Sequence, residues 1–155
     1  MNAMTARGLS LAAVVAVWTA VSHYGKIPLQ LFPAIVGLGC FVAAGGGIPG
    51  LQKSAAGTAS GVVWTLLYVS VSAALGRQQI VDALVLGAAV FGMVFQARVP
   101  LLSYTAGAIA GAGVAMAARV VSVQGGIRVA IALVVGAGLG YAAEWLATTM
   151  KSRAM

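Results

Sequence analysis

Hydrophobic positions along the chain gather into six long runs broken by glycine, proline or charge. They cover about residues 8–24, 27–44, 54–75, 79–97, 100–118 and 127–148. A membrane-crossing helix needs about 20 mostly apolar residues, with a lower limit near 17. Each run meets that limit, the first only just. The breaks are Gly25-Lys26, Gly45 to Gly50, Gly76-Arg77, Arg98 to Pro100 and Gln124 to Gly126, all turn signals. Pro28 and Pro100 fall in first helical turns, where the missing N–H costs little. Pro33 falls inside the second run, which predicts a kink. The prediction is an all-α bundle of six short transmembrane helices forming one domain over residues 1–155.

Composition agrees with that pattern and narrows the solvent. Of the 155 residues, 61% are hydrophobic and 7% charged, with a mean hydropathy of +1.03. A water-soluble domain carries about 25% charged residues, so the partner expected for most of the surface is the lipid bilayer. The net charge of +7 would suggest nucleic acid in a soluble protein. Here the cations are scattered singly near the ends of apolar runs, where they reach lipid phosphates, so no nucleic-acid role is expected. The single Cys40 excludes an intramolecular disulfide and a cysteine metal cluster.

Six crossings place both termini on one side, with Arg7, Lys53, Arg98, Lys151 and Arg153. The other side holds Lys26, Arg77, Arg119 and Arg128. The excess of one cation sets both termini in the cytoplasm under the positive-inside rule. Arg7 followed by Leu9 to Val21 resembles a signal peptide, with small residues at Ala20 and Ser22. Because the rest of the chain also spans, it reads as an uncleaved anchor. A five-span count, with the first segment lost or lying flat, is the competing topology.

Small residues pattern the interior. Gly57 and Gly61, Gly107 and Gly111, and Gly136 and Gly140 are four apart, so each pair shares one helix face. Lipid gives helices no hydrophobic drive to associate, and glycine permits the close backbone contact that does. Tight helix packing and a homo-oligomer are expected. Shifting the chain by 50 positions aligns Gly37 with Gly87, Phe41 with Phe91, Gly57 with Gly107 and Gly61 with Gly111. That alignment describes a parallel two-helix repeat. Chance in a chain rich in Ala, Gly and Val is the alternative.

Polar residues inside or beside the runs are the functional candidates. Gln52, Lys53, Ser54 and Thr58 start the third run; Arg98, Ser103 and Thr105 start the fifth. Two helix starts, each with a cation, suit a vestibule for a small polar or anionic solute; ordinary cytoplasmic turns would place the same cations there. Asp82 and Glu144 are the only acids, and acids within spans are functional candidates by default. One His, one Cys and two distant acids provide no catalytic constellation. No enzyme activity, metal or cofactor is expected.

Gly47-Ile48-Pro49-Gly50-Leu51-Gln52-Lys53-Ser54-Ala55-Ala56, continuing through Ser60-Gly61-Val62-Val63-Trp64, resembles the middle of the YcdZ-like bacterial inner-membrane proteins. So do Leu101 to Gly107 with Ile109 and Gly111, and Leu133 to Tyr141. The resemblance runs from the first helix to the sixth. It implies a multi-pass inner-membrane protein of a family of unknown function and carries over no functional residues. The leading functional expectation is a passive small-solute channel or transporter subunit. The alternative is a structural or regulatory membrane subunit that binds partners through its small-residue faces.

Overall fold

The computed structural model describes residues 3–25 and 30–152. The Lys26 turn, Ile27, Pro28 and Arg153 lie outside the described residues, as does the side chain of Lys151. The described residues form six α-helices: α1 Ala3–Tyr24, α2 Leu31–Ala43, α3 Gly47–Ala74, α4 Gln79–Phe95, α5 Thr105–Ala117 and α6 Val123–Ser152. Two 3₁₀ turns, Gln96–Arg98 and Pro100–Leu102, join α4 to α5.

Four helices are long and apolar enough to cross a bilayer: Met4–Tyr24, Gly47–Ala74, Gln79–Arg98 and Val123–Met150. The second and fifth runs are shorter than predicted. α2 and α5 have 13 residues each, about 20 Å at 1.5 Å per residue, against a hydrocarbon core of about 30 Å. Hydropathy runs unbroken through the fifth segment, but the helix does not. Residues 96–104 hold two 3₁₀ turns before α5 starts, and the second packs on α3. Pro100 therefore opens a 3₁₀ turn rather than the fifth helix. Pro33 is the third residue of α2, inside the first turn, where the N–H has no intrahelical partner and the predicted kink loses its cause. The glycine run is also divided: Gly45 and Gly46 turn, and Gly47 to Gly50 are already helical.

Contacts fix the direction of each helix. Gly47, at the start of α3, meets Glu144 late in α6, while Gly126, early in α6, meets Leu66 late in α3. These two helices are antiparallel. α5 runs parallel to α3, with Gly57 against Tyr104 and Gly61 against Ala108. α2 runs parallel to α6, with Gly136 against Ala34 and Gly140 against Phe41. Arg7 near the start of α1 shares a cavity with Glu144. Asp82 at the start of α4 shares one with Ser72 at the end of α3. Thus α1, α3 and α5 run one way and α2, α4 and α6 the other.

This arrangement replaces the predicted parallel two-helix repeat. α3 and α5, which that repeat made equivalent, differ in length (28 and 13 residues) and pack on each other. The symmetry instead relates α1–α2–α3 to α4–α5–α6, with opposite direction. The short helix of each unit packs mainly on the last helix of the other: α2 on α6, α5 on α3. The contacts match in register. Gly61 lies on the Ala108 backbone as Gly136 lies on that of Ala34, and Gly111 lies on Thr58 as Gly37 lies on Leu133. None of these four glycines has room for a Cβ against the facing backbone. The ends match too. Gly46 N–H bonds to Phe41 O and Gly45 N–H to Val42 O; Val120 N–H bonds to Ala115 O and Arg119 N–H to Met116 O. Gly45 and Arg119, in equivalent places, are both left-handed, with φ of 95° and 51°.

The core lies where the two units meet. Val62, Val114, Val129 and Leu133 form one buried cluster, and Met93, Ala108 and Ala112 form another beside Trp64. Large apolar side chains cover the outside, among them Ile80 at 78% exposure, Leu84 at 69% and Phe91 at 70%. Small residues inside and large apolar ones outside suit lipid as the surrounding solvent.

Candidate functional site

Polar groups collect at the two ends of the α3–α6 pair. At the Glu144 end, the glycine turn brings the chain back under α6. Gly46 has φ 72°, a conformation glycine adopts without strain. A Cβ there would lie 2.9 Å from the Glu144 carboxylate oxygens. Gly47 N–H donates to Glu144 Oε2 at 2.7 Å. The α3 N-terminus has no cap from its own N-cap side chain, so a carboxylate from α6 supplies it. Anionic charge at a helix N-terminus is favoured by the exposed N–H groups and the helix dipole. Arg7, Ser10, Phe41 and Gly140 join Glu144 around a cavity of about 210 Å³.

At the opposite end, Tyr68 and Ser72 of α3, Arg77 of the α3–α4 turn, Asp82 of α4 and Val121 enclose about 140 Å³. A third cavity of about 200 Å³ opens at the start of α2, beside Gln30, Arg119, Ser122 and Arg128. A hydrogen-bonded chain ties α4 to α3: Trp64 Nε1 donates to Gln96 Oε1 at 2.9 Å, and Gln96 Nε2 donates to Ser60 Oγ at 2.9 Å. Gly92 makes room for the Trp64 ring.

The residues expected to line a solute vestibule occupy two environments. Gln52 and Lys53 are exposed on α3. Arg98 is exposed and stands 4.1 Å above the Phe95 ring. Ser103 is exposed and donates to Pro100 O at 2.7 Å; Thr105, half-buried, begins α5. Ser54 and Thr58 are fully buried, and their hydroxyls donate to Leu51 O and Ser54 O. The backbone of Thr58 faces Gly111 in the α3–α5 seam. The six packing glycines all touch their own chain. Gly57, Gly61 and Gly111 lie in the α3–α5 seam, Gly136 and Gly140 lie against α2, and Gly107 receives the Tyr104 ring. Asp82 and Glu144 stand at opposite ends of the bundle.

Sequence reasoning placed neither Gln96 nor Ser72 at a site and read Arg7 only as the cytoplasmic cation before the first run. An amide closing the apolar stretch Phe91 to Phe95 was a signal for Gln96. The places of Ser72 and Arg7 depend on partners distant in the chain.

Fold and surface together define an all-α membrane protein with small residues packed inside and apolar side chains turned outward. The chain belongs to the family described as Protein of unknown function (DUF1097), which matches residues 8–148. It is 32% identical over 148 residues to Inner membrane protein YcdZ of Salmonella typhimurium, covering 90% of this chain and 89% of that protein. It is 31% identical over 147 residues to Inner membrane protein YcdZ of Escherichia coli K12, covering 90% and 87%. No solved structure matches the chain.

Proposed function

We infer that the protein is a passive small-solute channel or transporter subunit of the bacterial inner membrane, conducting a solute rather than transforming one. The inverted pairing of α1–α3 with α4–α6 carries this reading. Units of opposite direction that meet at a shared interface are the architecture of many transporters, with discontinuous segments at their centre. α2 and α5 fit the discontinuous role: each is too short to cross alone, and α5 follows an irregular segment packed on α3. With α5 completed by the 3₁₀ segment before it and α2 counted as a crossing, the chain crosses six times. Both termini then lie at the Glu144 end with Arg7, Lys53 and Arg98, which the positive-inside rule assigns to the cytoplasm.

The relatives' printed names support an inner-membrane location. The scarcity of ionisable groups within the helices supports a neutral or passive pathway over a carboxylate-driven pump. A homo-oligomer belongs to this reading. Gly39, Gly87, Gly113 and Gly138 face open space, leaving small outward surfaces on α2, α4, α5 and α6 for a second copy.

Purified protein in liposomes tests the function. Osmotic shock with urea, acetamide, small organic acids and salts, read by light scattering, is expected to show faster equilibration for at least one solute than protein-free vesicles. No acceleration for any member of the panel would overturn the pathway.

A further inference from the structure

Among the described residues, five polar side chains are buried: Ser10, Ser54, Thr58, Thr65 and Ser72. Four donate to carbonyls of their own helices: Ser10 to Arg7 O, Ser54 to Leu51 O, Thr58 to Ser54 O and Thr65 to Gly61 O. That is the ordinary fate of a hydroxyl in an apolar bundle. Ser72 departs from it. It is 4% exposed, its Oγ has no partner among the described residues, and it lines the cavity at the Asp82 end. Asp82 lines the same cavity, and its Oδ1 is likewise buried without a partner. A buried polar atom left unpaired costs about 1–3 kcal/mol, more when charged. Two such oxygens in one cavity call for a donor. Arg77 completes the wall, held at φ 51° directly after the left-handed Gly76. An L-residue is disfavoured there, and such outliers concentrate at ligand sites.

We propose that the cavity walled by Tyr68, Ser72, Arg77 and Asp82 binds a small uncharged amide-type solute, its N–H groups towards Asp82 and Ser72 and its carbonyl oxygen towards Arg77. One cation and one anion leave the wall neutral, which favours a dipolar ligand over an ion. Neutral amides also cost less to desolvate than free ions or zwitterions. The volume of about 140 Å³ corresponds to nearly five waters at about 30 Å³ each, which admits acetamide or urea. The unit-related position offers no copy of this site. There Glu144 is already bound by Gly47 N–H. This proposal deepens the pathway reading by naming a solute class and a place for it.

Saturation-transfer difference NMR on the full chain in detergent, with the acetamide methyl group as probe, tests it. Wild type is expected to give a saturable signal that urea displaces and that acetate and methylammonium do not. Ser72→Ala is expected to weaken binding about fivefold and Asp82→Asn about tenfold or more, the scale of one hydrogen bond to a neutral or charged group. Far-UV circular dichroism and gel filtration establish that both variants are folded, and the conservative S72A keeps the result decisive if D82N fails to fold. No saturable signal in wild type, unchanged binding in a folded variant, or equal displacement by acetate or methylammonium would overturn the site. The measurement needs no gradient. Absent binding with liposome flux intact removes this site alone, and binding without flux removes the pathway alone.

Discussion

The Glu144 end and the Asp82 end occupy related places in two inverted units, yet they treat their acids oppositely. Glu144 is consumed structurally: its carboxylate caps α3, and Gly46 is bare to admit it. Asp82 lies in the first turn of its own helix with one oxygen buried and without a partner among the described residues. A repeated backbone therefore carries a repeated packing scheme without a repeated chemistry. The seams are common to both units, while the polar side chains at their ends belong to one unit or the other.

The sharpest way to break that comparison is to overfill both seams. Gly61→Leu and Gly136→Leu each drive a side chain into a facing backbone, at Ala108 and Ala34. Backbone cannot rotate away as a side chain can, so each is expected to cost about 3 kcal/mol or more. Gly8→Leu faces open space and is expected to stay within about 0.5 kcal/mol. Thermal unfolding in detergent reads all three. If Gly136→Leu is tolerated and Gly61→Leu is not, the two seams are not equivalent.

The acids come next in size. Glu144→Gln removes the charge from the α3 cap and weakens the bond to Gly47, for an expected loss of about 1–2 kcal/mol. Asp82→Asn is expected to leave stability unchanged or raise it by about 1 kcal/mol, because it takes the charge off a buried oxygen that has no partner among the described residues. Equal losses at the two positions would show that Asp82 is also a structural cap and that the ends are alike.

Much of the helical pattern was legible in the sequence, and the place where reading failed is instructive. Each of the six described helices overlaps an apolar run, but α3 begins at Gly47, inside the predicted turn, and α2 and α5 are shorter than their runs. The true repeat was legible too: Ala34, Ile35, Gly37, Gly39, Ala43 and Ala44 recur as Ala108, Ile109, Gly111, Gly113, Ala117 and Ala118. The shift of 50 obscured it by matching scattered glycines across helices that differ in length. The shortness of α5 was not legible, because Val99 to Leu102 are apolar in any conformation; packing on α3, not hydropathy, leaves them irregular. The site was the least accessible part. Glu144 and Gly47 are 97 residues apart, and only the inverted arrangement joins them. Ser54 and Thr58 read as pore polarity because a hydroxyl in the sequence does not reveal that its own helix will satisfy it.

A smaller effect sharpens the comparison between the outer helices. α4 is tied to α3 by Trp64, Gln96 and Ser60, whereas Ser22, near the end of α1, donates to Thr19 O of its own helix. Gln96→Ala leaves the Trp64 indole N–H without its acceptor, while Ser60 Oγ still donates to Gly57 O, so a loss of about 1–1.5 kcal/mol is expected. Ser22→Ala is expected to cost less than about 0.5 kcal/mol. Tryptophan emission adds a second reading, since freeing the Trp64 indole shifts its spectrum while Ser22→Ala leaves it unchanged.

The exposed cations carry the smallest stability effects and decide the vestibule. Lys53 stands in solvent or at the lipid surface, and Arg98 rests on the Phe95 ring. An exposed cation–π contact contributes about 0.5–1 kcal/mol, so Arg98→Gln is expected to cost at most that, and Lys53→Gln less. Their effect on flux is separate from their effect on stability. If Lys53 in α3 and Arg98 in the turn after α4 guide a polar or anionic solute, both substitutions slow its equilibration in liposomes beyond what their small stability losses explain, and added salt narrows the difference by screening the remaining charge. If flux is unaltered in both, the two cations serve the lipid interface alone. The polar work of the bundle then concentrates at the opposite end, around Asp82.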